Sequence, residues 1–352
     1  MSAYERIRMG KHSLKSIASL SIGVVGAGSW GTALANHLAL KGYKIDLWVF
    51  EKEVIEQIKN ERQNKVFLPD AVLSENIIPT NVIKTAVCGK DIVLVVVPSH
   101  VMRETAELMT EYITAETLVI SASKGIENKT HLTMLGVLKQ VLAQVPEENL
   151  IALSGPSFAK EVAQMKPTVV AVASTGTKNA TLVQHVFASP SFRVYTNDDP
   201  AGVEVGGAIK NVIAIAAGIS DGLGLGLNAR AALITRGLTE MKRLGACLGA
   251  DPHTFAGLAG VGDLMLTCTG NLSRNHTVGV QLGEGKTLDE ILVEMRMVAE
   301  GVKTTRSVYN LSKKLGIELP ICNEVYRILF ENQDPKTSIE RLMTRTLKHE
   351  LD

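Results

Sequence analysis

The sequence predicts an α/β domain with a parallel-rich sheet, followed by an all-helical domain. Three observations carry that expectation. Short Val/Ile/Leu runs alternate with helix-compatible stretches as far as Pro200. The first of these runs turns at once through three glycines, Gly26, Gly28 and Gly31, into a helix-like segment. Beyond Pro200 the strand-like runs stop, glycine and alanine become more frequent, and long helical patterns take over. A chain of 352 residues is also long for one domain.

In chain order, strands are expected at 21–25, 44–49, 91–97, 117–121, 150–153, 168–173 and 193–196. Several are near-continuous apolar runs, the signature of parallel strands buried on both faces. Helix-compatible segments lie between them, for example 32–41 and 100–113, and repeated β-α alternation places helices on both sides of the sheet. The boundary falls near 197–201, where Asn-Asp-Asp-Pro is loop chemistry. Helices are then expected at 203–219, 228–244, 288–300, 303–315 and 323–330. The domains read as 21–200 and 201–352. Residues 1–20 carry Arg6, Arg8, Lys11 and Lys15 against Glu5 and have no apolar core of signal-peptide type. They are expected to be a flexible tail, with a mitochondrial transit peptide as the other reading.

Charge excludes several function classes. With 37 basic and 36 acidic side chains the net charge is +1, so no global field attracts nucleic acid or an anionic membrane. Cys88, Cys247, Cys268 and Cys322 form no C-x-x-C pair, which argues against a zinc site or a disulfide framework and suits a reducing compartment; no metal is expected. Apolar stretches are interrupted by charge or glycine before reaching the length of a membrane span.

The glycine turn is the first functional signal. Gly26-Ala27-Gly28-Ser29-Trp30-Gly31 fits G-x-G-x-x-G, and its context is strand, tight turn, helix. Gly26 permits the turn, Gly28 lets backbone approach a pyrophosphate, and Gly31 lets the helix pack closely on the strand. The helix N-terminus then presents N–H groups to phosphate. This predicts a Rossmann-type dinucleotide site. The fingerprint also needs an acid at the end of the second strand, and Glu51 closes "KIDLWVFE" at that distance; Asp46 lies mid-strand. Glu51 suits the ribose hydroxyls and repels a 2′-phosphate, while Phe50 suits the adenine face. NAD(H) is favoured, with NADP(H) possible. The second glycine cluster, "DGLGLGLN", follows a helix and has the wrong spacing.

A nicotinamide cofactor carries hydride, so the protein must supply a proton donor and a grip on the substrate. Lys124 follows one strand in "SASKG", Gly155, Ser157 and Ala159 follow the next in "LSGPSFA", and Pro98 follows another, where it shapes the wall beneath a nicotinamide. Lys210 and Asn211 are the polar pair in the otherwise apolar "VEVGGAIKNVIAIAAG". A lysine held there is desolvated, its pKa falls, and it suits proton exchange with an alcohol or ketone; the competing reading is a lysine that snorkels to solvent. Asp263 follows a glycine turn, and Ser273, Arg274 and Asn275 cluster in a polar loop with the makings of a phosphate clamp. Glu300 sits at a helix end, either as a site residue or as a solvated acid.

With these residues in view, the chain resembles the NAD(P)-dependent sn-glycerol-3-phosphate dehydrogenases over nearly all its length after residue 20. The motifs that carry the likeness are "GAGSWGTALA", "SASKGIE", "SGPSFAKEV", "GGAIKNVIAIAAGISDGLGLG", "GVGDLMLTCTGNLSRN" and "AEGVKT". The resemblance implies reduction of dihydroxyacetone phosphate to glycerol 3-phosphate, feeding phospholipid synthesis, in a cytoplasmic homodimer. It implies Lys210 as proton donor flanked by Lys124 and Asp263, with Thr267 and Asn211 holding the substrate. Ser273, Arg274 and Asn275 match the phosphate end, and Arg274 also matches a cofactor position. Ser29, Trp30, Phe50, Lys124, Ala159, Val298 and Glu300 fall at cofactor contacts. Two departures stand out. "WVFE" is similar to eukaryotic NAD-specific members, whereas "SGPSFA", with Ser157, is of the bacterial type. The C-terminal "KHELD" matches neither the ER-retention nor the peroxisomal signal.

Two other readings fit the same architecture. A 3-hydroxyacid or phosphogluconate-type dehydrogenase would need a carboxylate grip. A non-catalytic dinucleotide sensor would keep the glycine turn but has no need of Lys210, Asp263 and Arg274 together.

Overall fold

The apolar runs become the inner strands of an eight-stranded sheet. The computed structural model describes residues 6–9, 13–295 and 299–350. Two short strands, β1 (Arg6–Met9) and β2 (Ser13–Ser16), pair antiparallel as a separate ribbon where the sequence suggests only a tail. The large sheet contains β3 (Ile22–Val25), β4 (Ile45–Trp48), β5 (Ile77–Thr80), β6 (Ile92–Val95), β7 (Leu118–Ser121), β8 (Leu150–Ser154), β9 (Thr168–Ala173) and β10 (Phe192–Asn197). Its spatial order is β10-β9-β8-β7-β6-β3-β4-β5. From β5 to β8 neighbouring strands run parallel; β9 is antiparallel to β8, and β10 parallel to β9.

Counted from β3, the six parallel strands lie in the order 3-2-1-4-5-6, so the chain reverses direction across the sheet at β3. Dinucleotides bind at such a switch point, beyond the carboxyl ends of the strands. Every residue of β3, β6, β7 and β8 is buried, which explains their unbroken apolar sequences. The outer strands β5 and β10 alternate buried with exposed positions. Pro79 in β5 cannot donate to a ladder, a deficiency tolerated at an edge.

The chain divides into two compact units. One comprises the described residues of Met1–Ser123 and Met134–Pro200; the other comprises Lys124–Thr133 with those of Ala201–Asp352. The segment that carries Lys124 therefore belongs with the helices, although it follows β7 in sequence.

The helical unit is built around Pro200–Gly222, in which an unbroken run from Val205 to Ser220 is buried. Gly226–Cys247, Asp263–Thr269, Arg274–Gly283, Leu288–Glu294, Glu300–Leu315, Pro320–Phe330 and Pro335–Met343 complete it. Small residues let backbones touch. A Cβ on Gly218 would lie 2.1 Å from the His276 carbonyl oxygen, and one on Gly279 would lie 2.1 Å from that of Ile215. Among the described residues, Pro200–Gly222 is the one helix long and apolar enough to cross a membrane, and 94% of its apolar window is buried in the protein.

Three sequence expectations are corrected. The helix expected at 288–300 ends at Glu294, and a new one starts at Glu300; Val298 lies outside the described residues. Ser273-Arg274-Asn275 is not a loop: Ser273 caps the helix Arg274–Gly283, its hydroxyl accepting from the His276 N–H. In place of one helix at 100–113 the chain makes a 3-10 turn, Ser99–Val101, and the helix Met102–Met109.

Candidate active site

In the sheet unit the glycines do three different jobs. Gly26 has φ of +112°, and a Cβ there would lie 2.6 Å from the Val96 carbonyl oxygen. A Cβ on Gly31 would lie 1.9 Å from the Gly26 oxygen, so the helix rests directly on the turn. At Gly28 a Cβ would meet nothing within 4 Å. Gly28 is also the N-cap of Ser29–Leu40 and brings no capping side chain, and the first turn holds no acid. The positive helix end thus lies open to an anion. The Trp30 Nε1, on the first turn of this helix, is buried without a hydrogen-bond partner, and its ring packs against the apolar core. A pyrophosphate-bearing ligand fits these residues.

The shape of the turn is held from below by residues the sequence did not single out. Asn64, fully buried, donates from Nδ2 to the Ala27 carbonyl and to Thr32 Oγ1, each at 2.8 Å. Thr32 Oγ1 donates to the same carbonyl at 3.0 Å, and Ser29 Oγ donates to the Phe67 carbonyl at 2.6 Å. At the end of β4, Glu51 occupies the N-cap of Lys52–Glu61 without capping it, and Phe50 is 77% exposed beside the Trp48 ring. Asp46, the acid nearer in count, is paired with Lys90. Beyond β8, Gly155 has φ of +143°, Ser157 Oγ donates to its carbonyl at 2.9 Å, and Ala159 begins the helix Ala159–Ala163.

The helical unit holds a different kind of site, made of buried charge. Lys210, 6% exposed on the core helix, donates from Nζ to the Asp263 carboxylate and, at 2.8 Å, to Thr267 Oγ1. Lys124 Nζ lies 2.7 Å from the other Asp263 oxygen. Asp263 is 1% exposed and opens the helix Asp263–Thr269, so Thr267 stands one turn on and donates to the Asp263 carbonyl at 2.6 Å. The turn that delivers Asp263 is a π-type segment, Leu258–Gly262, broken by non-helical angles at Gly260.

Electrostatics follow from that burial. Desolvation pushes the Lys210 ammonium down to about 7; the Asp263 carboxylate opposes the fall and the Lys124 charge adds to it. Burial alone would raise Asp263, but the charges of Lys124 and Lys210 overcome it and hold the carboxyl below its usual range. The surroundings thus favour the charged carboxylate at Asp263 and disfavour the charged ammonium at Lys210.

Asn211, next to Lys210, belongs to a second network. Its Oδ1 accepts from Asn275 Nδ2 at 2.9 Å, and Asn275 Oδ1 accepts from the Gly301 N–H at 2.9 Å. The Ser273 hydroxyl receives the His276 N–H. Arg274 is exposed at the first position of its helix, and the Glu300 carboxylate favours its charged form against the desolvation that lowers it. The structure therefore gathers Lys124, Lys210, Asp263 and Thr267 in one cluster and joins Asn211 with Asn275. The side chains of Ser273 and Asn275 are held by protein groups.

Comparison with known proteins places these features in a family. A family model described as NAD-dependent glycerol-3-phosphate dehydrogenase N-terminus matches residues 21–180, and its C-terminal counterpart matches 199–340. A glycerol-3-phosphate dehydrogenase (NAD(P)+) of Syntrophobacter fumaroxidans is 53% identical over 331 residues, covering 94% of this chain and 97% of the relative. One from Citrifermentans bemidjiense is 54% identical over 329 residues, covering 94% and 98%. The crystal structure of glycerol-3-phosphate dehydrogenase from Coxiella burnetii is similar with a TM-score of 0.89 at 42% identity, covering 93% of this chain and all of that one.

Proposed function

Because the chain belongs to the NAD-dependent glycerol-3-phosphate dehydrogenase family, we propose that Lys210 is the group that gives and takes the proton at the substrate oxygen. The reaction is the reversible NAD(P)H-dependent reduction of dihydroxyacetone phosphate to sn-glycerol 3-phosphate. When bound, the nicotinamide cofactor supplies hydride to the carbonyl carbon. The carbonyl oxygen then needs one proton. The observation that carries the reading is Lys210 Nζ, buried between the Asp263 carboxylate and Thr267 Oγ1.

An ammonium with a pKa of about 7 is close to ideal for a group that donates in one direction and accepts in the other. Asp263 keeps the charged form within reach against desolvation, and Thr267 fixes the direction of Nζ. Lys124 supplies a second positive charge for the oxygen as negative charge develops there. Of the phosphate-end candidates, Arg274 carries the guanidinium, at the N-terminus of its helix, that suits a phosphate. In the sheet unit, Gly26 and Gly31 shape the turn, the open helix end at Gly28 would hold the dinucleotide phosphates with Trp30 at a further cofactor contact, and Glu51 would take the ribose hydroxyls, which favours NAD(H). We assign the product to phospholipid synthesis, the location to the cytoplasm and the assembly to a homodimer, on the strength of the family likeness.

The test is loss of NADH absorbance with dihydroxyacetone phosphate, run alongside NADPH and with 2-keto acids of similar size as controls. Rapid oxidation of NADH with the phosphorylated ketone is expected. Oxidation with the keto acids alone would overturn the substrate assignment, and oxidation with neither would overturn the catalytic one.

A further inference from the structure

Ser307 has no place in the chemistry described above, yet it is fully buried and its hydroxyl is directed at the segment that carries Lys124. It lies on Glu300–Leu315, two turns from the start of that helix. Its Oγ–H has two acceptors at 2.8 Å, the Ile126 carbonyl and Asn128 Oδ1, both on that segment, while the Lys303 carbonyl of its own helix is farther off at 3.5 Å. Ile126 is 2% exposed and sits in the apolar core of the helical unit. Further on, the segment braces itself: the Glu127 N–H bonds the Leu132 carbonyl at 2.8 Å, and Ile126 bridges Thr133.

The same helix is tied at its N-terminus, two turns earlier, to the neighbour of Lys210. Gly301, in its first turn, donates to Asn275, and Asn275 donates to Asn211. Thr305 Oγ1, between the two ties, donates to the Gly301 carbonyl at 2.7 Å and stiffens that turn. One rigid element therefore references both lysines: Lys210 through Asn211, Lys124 through Ile126.

We propose that Ser307 is a positioning residue for the reaction, fixing the segment 124–128 so that Lys124 reaches Asp263. The proposal rests on the reading of Lys210 as the proton-exchanging group and of Lys124 as its charged neighbour. A buried hydroxyl donating to a backbone carbonyl fixes rotation of that peptide as well as its distance. Ile126 is two residues from Lys124, so a turn of its peptide moves the lysine by ångströms. Misplacement on the order of 1 Å is enough to cost about a hundredfold in rate.

The charged groups around Lys210 give this proposal a signature that a purely structural role lacks. Asp263 favours its protonated form; Lys124 disfavours it. Withdrawing Lys124 alone removes the disfavouring charge, so the proton is held to higher pH. Thr267 is uncharged and Cys268, buried nearby with a thiol pushed up to about 12, stays protonated throughout.

The experiment uses the full-length enzyme with two variants, Ser307→Ala and Asn128→Ala; Asn128 is exposed, so its loss does not threaten folding. Four quantities are read: kcat for dihydroxyacetone phosphate, the pH at which the reduction rate falls, hydrogen exchange of the amides at 124–133, and NADH affinity as a control. Ser307→Ala is expected to lower kcat about tenfold or more, to move the fall in rate to higher pH, and to speed exchange in 124–133, with NADH affinity within about twofold of the parent. Asn128→Ala should show the same three changes in weaker form, and Ser307→Thr, which restores the hydroxyl, should recover the parental pH profile. Unchanged exchange at 124–133, or a loss of kcat with the pH profile in place, overturns the role of Ser307. A parent enzyme whose rate has no transition near pH 7 overturns the reading of Lys210 instead, and the exchange data still decide whether Ser307 holds the segment.

Discussion

The glycine turn and the lysine cluster meet the same kind of need, a charge brought to a ligand, by opposite means. The turn uses backbone: Gly28 offers bare N–H groups at an open helix end, and no ionisable side chain takes part. The cluster uses side chains: two lysines and an aspartate, with Lys210 and Asp263 removed from water. A helix end holds its partial charge at any ordinary pH. A buried ammonium holds its charge only while its partners compensate for the lost hydration. The first arrangement therefore suits a ligand held by constant charge, and the second suits the proton transfer proposed for Lys210.

That contrast breaks most sharply at Lys210. Lys210→Ala should reduce kcat by about a thousandfold or more, the upper range for loss of a general acid. NADH affinity should stay within about twofold, because every residue of the glycine turn is untouched. Turnover near the parental level would remove Lys210 from the chemistry.

The next largest effect tests the sign of the electrostatics. Asp263 is what raises the Lys210 pKa against desolvation, so Asp263→Asn should send it below about 7. Reduction needs the protonated form. Its rate should fall by roughly a hundredfold at pH 7.5, partly recover on acidification, and show its transition shifted to lower pH. Oxidation of glycerol 3-phosphate, which needs the neutral form, should lose less. A transition displaced to higher pH would reverse the assignment of charges within the cluster.

A third pair of variants sharpens the backbone side. Gly28→Ala meets nothing in the folded protein, so thermal stability should stay within about 0.5 kcal/mol of the parent. NADH binding should weaken about tenfold because the methyl lies where the ligand approaches. Gly31→Ala puts a methyl 1.9 Å from the Gly26 oxygen, and here binding should fall together with a stability loss of about 2 kcal/mol. If Gly28→Ala leaves NADH affinity unchanged, the dinucleotide does not lie over that glycine.

These two regions also differ in how far the sequence reveals them. The turn is encoded in six consecutive residues between a strand and a helix, so local pattern suffices, and the β-α alternation that frames it is equally local. β5 escapes because "IIPT" is short, half exposed and contains proline, features allowed only by its edge position. The lysine cluster draws on residues 124, 210, 263 and 267, and no periodicity predicts that they meet. Lys210 stands out in the sequence as a polar residue in an apolar helix, whereas the separation of Ser273, Arg274 and Asn275 into a cap, a cation at the first helical position and a bridging amide depends on where the helix begins. Asn64 and Ser307 gave no signal, since buried polar residues in loops and helices look like ordinary surface ones until their partners are known.

The smallest effect concerns which dinucleotide the turn accepts, where backbone and side chain act together. The glycine turn cannot distinguish NADH from NADPH, because both present the same pyrophosphate. Discrimination falls to the end of β4, where Glu51 is exposed, neither Val49 nor Phe50 before it is basic, and the exposed Lys52 follows at the first position of the next helix. A 2′-phosphate brought close to that carboxylate meets like charge, screened by water to a penalty of about 1 kcal/mol. Glu51→Ala should therefore raise kcat/KM for NADPH about fivefold and lower it for NADH by a similar factor, through the lost ribose hydrogen bonds. Phe50→Arg, placing a cation at the neighbouring exposed position, should favour NADPH further. If both variants keep the parental ratio of the two cofactors, Glu51 does not face the ribose and another residue reads it.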